Sequence, residues 1–153
     1  MGAMSRTKGK AGERELARLV SDLTGWEVKR RVRQHEGDSD LDGVPGWSIE
    51  VKRHKVAPRA DIRAWWVQAV AQAIAEKACP LLFYRADRGD WRAVWPVARL
   101  LIEQQAEMWT GYEWTADTSV DAWAAVARDG AMAPPRDERD DQASRVANGV
   151  CDG

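Results

Sequence analysis

The stretch that decides the fold, residues 37–52, reads GDSDLDGVPGWSIEVK. Its acidic first half leads into Pro45-Gly46, a strong turn signal. After the turn two sets of residues alternate: apolar Trp47, Ile49 and Val51, and polar Ser48, Glu50 and Lys52. Such alternation is typical of a strand with one face in the core. We therefore predict two short strands joined at Pro45-Gly46 as a hairpin.

This hairpin can build a metal site. Glu50 and Lys52 are two residues apart in a strand, so their side chains share one face. Asp40, on the preceding strand, can sit across from Glu50. Two carboxylates within about 4 Å repel, and both stay ionised only if a cation lies between them. Because hard oxygen ligands suit Mg²⁺ or Mn²⁺, we predict a metal at Asp40 and Glu50, with Lys52 orienting or deprotonating a bound water.

Other readings of the acidic turn remain. Asp38 and Asp42 are also candidate ligands, and spacing favours Asp40 without excluding them. An isolated Glu-x-Lys is usually an exposed polar strand face. The acidic turn on the neighbouring strand makes a catalytic site more probable here than it would be for that motif alone. A calcium loop fails, because Ile49 occupies the last loop position, where that motif needs a bidentate glutamate.

Periodicity predicts the remaining elements. Helices are expected at Lys10–Leu23 (ended by Gly25), Asp61–Ala78, Val97–Trp109 and Ser119–Arg128, and strands at Trp26–Arg33, Pro80–Tyr84 and Trp91–Val97. The run at Pro80 is continuously apolar, as in a strand buried on both faces. A helix crossing from the hairpin to this strand implies a parallel pair, so we predict a mixed sheet.

Composition sets the limits. The 153 residues are 44% hydrophobic and 31% charged, which fits one domain. We predict a flexible N-terminus at 1–8, a single domain at 9–130 and a disordered tail at 131–153. No signal segment and no apolar run long enough for a membrane span is visible, which favours a cytoplasmic protein. Cys79 and Cys151 lack zinc-site spacing, and Cys79 is expected to be a buried free thiol.

Charge is distributed unevenly along the chain. Residues 1–63 hold 14 Lys and Arg against 10 Asp and Glu, whereas the rest hold 9 against 14. The basic runs are Lys29-Arg30-Arg31 with Arg33, and Lys52-Arg53-His54-Lys55. Lys and Arg of this half can bind the phosphates of a polyanion such as DNA. A solvated strand face is the alternative that charge alone leaves open.

At these residues the chain resembles a known superfamily. Asp40 with Glu50-Val51-Lys52 resembles the PD-(D/E)xK nuclease signature, with Ser39 where that pattern often has proline. Gly9-Lys10-Ala11-Gly12-Glu13-Arg14-Glu15 resembles the first helix of archaeal and phage Holliday-junction resolvases in this superfamily. Small phage-encoded members are more similar still, in residues 37–53, in Gln68-Ala69, and in residues 80–85 with Gly89 and Trp91. The resemblance covers roughly Gly9 to Val97 and does not include the region beyond Trp109.

The resemblance implies an α/β protein with a restriction-endonuclease-like core. This core is a mixed β-sheet flanked by helices in the order α-β-β-β-α-β-β-α. It also implies a Mg²⁺-dependent cut in DNA, often by a homodimer. Glu13 matches an acidic metal ligand of the first helix, although a first-turn acid stabilised by the helix dipole is the alternative. The expected site is catalytic Glu13, Asp40, Glu50 and Lys52, of which the three acids bind metal, with DNA contacts from Arg30, Arg31, Arg33, Arg53, Lys55 and Gln68.

Function is thus predicted as an endonuclease on branched DNA, a Holliday-junction resolvase of a phage or prophage in a bacterial host. A restriction- or repair-type nuclease on duplex DNA and a catalytically silent DNA-binding module of the same fold are the alternatives. Four of the nine tryptophans, Trp65, Trp66, Trp91 and Trp95, could stack on bases or fill a dimer interface. Core packing is the commoner explanation and is what we expect.

Overall fold

The computed structural model describes residues 2–32 and 38–130. Its helices are α1 Gly2–Thr24, α2 Arg59–Glu76, α3 Glu107–Thr110 and α4 Val120–Gly130, with 3₁₀ turns at Val97–Leu100 and Tyr112–Trp114. Its strands are β1 Lys29–Arg30, β2 Leu41–Asp42, β3 Trp47–His54, β4 Cys79–Ala86, β5 Arg92–Pro96 and β6 Thr115–Ser119. The predicted α/β class is confirmed.

A mixed sheet forms the centre of the molecule. Strands β3, β4, β5 and β6 are hydrogen-bonded in that order. The β3–β4 pair is parallel and the other two pairs are antiparallel. Helix α2 makes the crossover that a parallel pair requires. The predicted mixed sheet flanked by helices is therefore confirmed.

Both faces of the sheet are covered. On one face Ile49, Leu81 and Phe83 pack against α1 and α4. On the other, Leu82 and Val94 pack against α2. The apolar run of β4 is explained by these two cores, as predicted. The four tryptophans named above, Trp65, Trp66, Trp91 and Trp95, are all buried, so the core interpretation is confirmed.

The predicted hairpin is wrong in its pairing. Strand β2 pairs antiparallel with β1, not with β3. The acidic turn nevertheless lies along the edge of β3, because the Asp40 N–H donates to the Ile49 carbonyl at 2.8 Å. The Ser39 hydroxyl and the Asp40 carboxylate accept the N–H groups of Ile49 and Val51. These side chains thereby replace the ladder that a hairpin would have formed.

The structure corrects other element boundaries. The strand expected at Trp26–Arg33 is reduced to β1, and Arg33 lies outside the described residues. Helix α1 begins at Gly2, before the expected Lys10. The helix expected at Val97–Trp109 is wrong: a 3₁₀ turn covers only Val97–Leu100, the backbone is extended at Leu101, and α3 begins at Glu107. Strand β6 was not predicted, whereas α4 was.

The predicted tail at 131–153 lies outside the described residues. The domain boundaries therefore stay a prediction. Across the part of the chain that the structure describes, no helix is both long and apolar enough to cross a membrane.

Candidate active site

Glu50 and Lys52 lie side by side on β3. They project from the face that α2 covers, since Glu50 is in register with Leu82 and Lys52 with Tyr84. The Lys52 Nζ is 2.8 Å from the Glu50 Oε1, and 9% of the Glu50 side chain is exposed against 23% for Lys52. The ion pair neutralises part of the charge that burial of Glu50 would otherwise penalise.

Asp40 reaches the same strand from its open edge. Its residue is 1% exposed. The Asp40 Oδ2 accepts a hydrogen bond of 2.7 Å from the N–H of Val51, the residue between Glu50 and Lys52. The structure therefore brings the predicted Asp40, Glu50 and Lys52 to one short length of β3.

Ser39 fixes the turn that carries Asp40. Its Oγ accepts the Ile49 N–H at 2.9 Å and lies 3.0 Å from the Leu41 carbonyl, to which it can donate. Ser39 is 3% exposed. A buried hydroxyl with both donor and acceptor used holds the turn firmly against β3.

Glu13 is tied to a cation. Its Oε2 is 2.5 Å from the Arg30 Nε, and 17% of the Glu13 side chain is exposed. Among residues 2–32 and 38–130, no three or more Asp, Glu, His or Cys side chains are grouped closely enough to hold a metal ion. The ligand set of Glu13, Asp40 and Glu50 thus stays a prediction. Buried Asp40 and Glu50 do supply the hard oxygen donors that Mg²⁺ requires.

Two of the predicted DNA-binding arginines are held by carboxylates. Arg30 pairs with Glu13. The Arg31 Nη1 is 2.9 Å from the Glu76 Oε1, and its Nε is 3.7 Å from the Asp42 Oδ2. Both ion pairs are partly exposed, so each guanidinium is held by a carboxylate at the surface of the protein.

The other predicted contacts are dispersed. Lys55 and Gln68 are exposed. Arg53 alternates onto the opposite sheet face from Lys52, where its Nη1 is 3.8 Å from the Glu15 Oε2. Within the described chain the Arg53 Nε is buried without a hydrogen-bond partner. Arg53 therefore packs beside α1 rather than beside Glu50.

Two site neighbours on α2 escaped the sequence analysis. Gln72 is 6% exposed, and its Nε2 donates to the Ser48 Oγ at 3.0 Å and to the Ile49 carbonyl at 3.1 Å. The Glu76 Oε1 accepts the Ser39 N–H at 2.9 Å. The signal that could have found them is the four-residue spacing of Gln68, Gln72 and Glu76 in a largely apolar helix.

Comparison with known proteins gives the class. A family model described as phage putative PDDEXK endonuclease matches residues 4–123. This protein is therefore a nuclease of the PD-(D/E)xK type, as its sequence predicted. It belongs to the phage PDDEXK endonuclease family.

One solved structure similar to the chain is that of Hjc from Archaeoglobus fulgidus, a Holliday junction resolvase from an archaeal hyperthermophile. The two are 21% identical, the match covers 77% of this chain and 96% of that one, and the TM-score is 0.49. None of the curated proteins compared matches the chain.

Proposed function

We propose that this nuclease is a Mg²⁺-dependent endonuclease that hydrolyses phosphodiester bonds in branched DNA, and specifically a Holliday-junction resolvase. One observation carries the proposal: the Asp40 carboxylate accepts a hydrogen bond from the Val51 N–H. Val51 lies between Glu50 and Lys52, which form an ion pair with each other. A buried acid and an amine on β3, with a second buried acid from the preceding turn hydrogen-bonded to that strand, fit phosphodiester hydrolysis. The choice of a junction is supported by the resemblance of residues 9–15 and 37–53 to resolvases.

Each side chain has a part in the proposed mechanism. Asp40 and Glu50, joined by Glu13, would hold the ion, which when bound polarises the phosphate and lowers the pKa of a water. Lys52, held by Glu50 at 2.8 Å, donates to the attacking water or to a phosphate oxygen and offsets charge developing there. The Val51 N–H keeps Asp40 in place throughout.

Glu13 and Arg30 would separate when substrate binds. In the structure the Glu13 carboxylate binds the Arg30 guanidinium. In the proposed complex Glu13 would bind the metal ion instead, and Arg30 would bind a phosphate. A backbone phosphate can replace Glu13 on Arg30, because arginine binds both anions in the same geometry. Glu13 then turns toward Asp40 and Glu50, so DNA binding and completion of the site are linked.

The DNA would lie across the edge of β3. Arg31, Lys55 and Gln68, with Arg33 beyond the described residues, are proposed to contact its backbone. Arg53, on the opposite sheet face, is the least favoured of the predicted contacts. A homodimer is proposed because two symmetric cuts in a junction need two sites in fixed geometry.

The test uses two substrates, a synthetic four-way junction and a linear duplex of the same arm sequence, with Mg²⁺ or Mn²⁺. Paired symmetric cuts in the junction alone support the proposal. Sequence-specific cutting of the duplex selects a restriction- or repair-type nuclease instead. Junction binding without cleavage, unchanged by Lys52→Ala, selects a silent binding module. Inertness toward both substrates overturns the proposal.

A further inference from the structure

Glu76 contacts the residue that precedes Asp40. It is the last residue of α2, and 24% of its side chain is exposed. Its Oε1 accepts two hydrogen bonds of 2.9 Å each, one from the Ser39 N–H and one from the Arg31 Nη1. A carboxylate bonded to a backbone N–H is a charge-assisted interaction, stronger than one between neutral groups. The helix end is thereby fastened to the acidic turn.

This contact depends on the identity of residue 39. Proline has no N–H and its ring fixes φ, so a chain with proline here would have a stiff turn and no donor for Glu76. Serine has the donor but a freer backbone. In this chain the Ser39 N–H goes to Glu76 and the Ser39 Oγ accepts from Ile49. Side-chain hydrogen bonds therefore supply the rigidity that the serine backbone lacks.

The hydrogen bond between Glu76 and Ser39 holds the backbone immediately before Asp40. Asp40 follows Ser39 in the chain, and its carboxylate accepts the Val51 N–H. One turn earlier on α2, Gln72 binds the Ile49 carbonyl, so the same helix also holds β3. Helix α2 thus sets both partners of the Asp40–Val51 hydrogen bond, the turn through Glu76 and the strand through Gln72.

We propose that Glu76 is a positioning residue for Asp40, acting through the Ser39 N–H and taking the part that proline has in chains with the usual signature. The inference rests on the proposed function only in that the positioned carboxylate serves cleavage. Glu76 also bonds Arg31, and a role through that arginine would affect DNA binding instead of Asp40. The two routes are separable by experiment.

The first readout is the Val51 amide of the metal-free protein, followed by ¹⁵N NMR and hydrogen exchange. Glu76→Ala should shift this resonance and speed its exchange by about tenfold or more, because Asp40 loses its fixed orientation. Glu76→Gln should restore both, since an amide oxygen still accepts the Ser39 N–H. Arg31→Ala should leave the resonance near its wild-type position. The matched control, Glu113→Ala, breaks the α2 ion pair with Arg63 far from the turn.

A second pair of variants keeps the test decisive. Should Glu76→Ala not fold, Glu76→Asp tests the same hydrogen bond from the Ser39 N–H, because it retains the charge but shortens the side chain. In a Ser39→Pro background, which has no donor at residue 39, Glu76→Ala should add little further change at Val51. A full additional shift there would mean that Glu76 acts by another route.

Cleavage kinetics give the last readout. Glu76→Ala should lower the single-turnover rate and raise the Mg²⁺ concentration for half-maximal rate, without changing the Kd for DNA. Arg31→Ala should raise that Kd and leave the Mg²⁺ requirement alone. An unchanged Val51 amide in folded Glu76→Ala overturns the inference. If the wild-type protein cuts no DNA, the proposed function fails, while the Val51 readout still decides the role of Glu76.

Discussion

The Asp40 Oδ2 lies 2.7 Å from the backbone nitrogen of Val51, the residue between Glu50 and Lys52. A side chain from a separate segment thus bonds to the strand at the point where that strand presents its acid and its amine. This hydrogen bond helps to fix Asp40 of the preceding turn relative to Glu50 and Lys52 on β3. The proposed chemistry depends on this relationship.

Removing either carboxylate should separate cleavage from binding. Glu50→Gln and Asp40→Asn preserve shape but remove a charged oxygen, and we expect each to slow junction cleavage by about 10²-fold or more. DNA affinity should hold or rise, because a negative charge near the phosphates is gone. Single-turnover rates and fluorescence anisotropy measure the two effects, and thermal melting checks the fold. Normal cleavage by Glu50→Gln would show that the site is misassigned.

Basic residues beside β3 and on α4 should contribute differently to DNA binding. Lys55 follows β3 just beyond Lys52, whereas Arg128 lies in the last turn of α4, the helix that packs on the opposite face of the sheet from α2. Both residues are exposed. Lys55→Gln should weaken DNA binding and reduce the slope of log K against log salt by about 0.9, one phosphate contact. Arg128→Gln is the control and should leave the slope unchanged; equal losses would place the DNA elsewhere.

Gly43 should be intolerant of any side chain. Its φ is +103°, and a Cβ there would lie 2.1 Å from the Glu27 carbonyl oxygen. Gly43→Ala should cost about 2 kcal/mol or more of the free energy of unfolding in urea. Gly9→Ala, in α1 with nothing within 4 Å of the added Cβ, should instead be neutral or stabilising by up to about 1 kcal/mol. Similar stabilities for the two variants would contradict the turn geometry.

Cys79 should make stability sensitive to alkaline pH. Burial raises the pKa of this free thiol from 9.0 to about 12, outweighing the nearby Arg99, which lowers it. The folded state therefore keeps a proton that the unfolded state loses above about pH 9, so stability present below that pH is lost as pH rises toward about 12. In urea melts, Cys79→Ala should lose less stability than wild type across that window. If the stability of the wild type and of Cys79→Ala fell in parallel with pH, burial would not be raising the pKa of this thiol.

The sequence predicted those parts of the site that follow from strand periodicity. Alternation along residues 47–52 placed Glu50 opposite the apolar side chains of β3, and the continuous apolar run identified β4 as a strand covered on both faces. The acidic turn was expected beside Glu50, and Asp40 lies there. Such patterns are visible in the local sequence, because they depend on the spacing of neighbouring residues and not on contacts between distant segments.

The remainder depends on tertiary contacts that no local pattern contains. Side-chain hydrogen bonds from Ser39 and Asp40 take the β3 backbone groups, and so β2 pairs with β1 instead. Residues 97–109 have helical spacing, yet Leu100 is 61% and Ile102 101% exposed, so these apolar side chains provide no buried face that would stabilise a helix. The polar segment Thr115–Ser119 becomes strand β6 because it pairs with the edge of β5, and the composition of the segment alone does not predict a strand.

A crystal of the protein grown with Mn²⁺ tests the central claim most directly. The account predicts an anomalous peak within about 2.5 Å of carboxylate oxygens from both Asp40 and Glu50, with Asp40 still bonded to the Val51 N–H. The same peak should disappear in Glu50→Gln. A protein that cuts DNA with Mn²⁺ bound at other residues, or that binds no ion at these two acids, would contradict it.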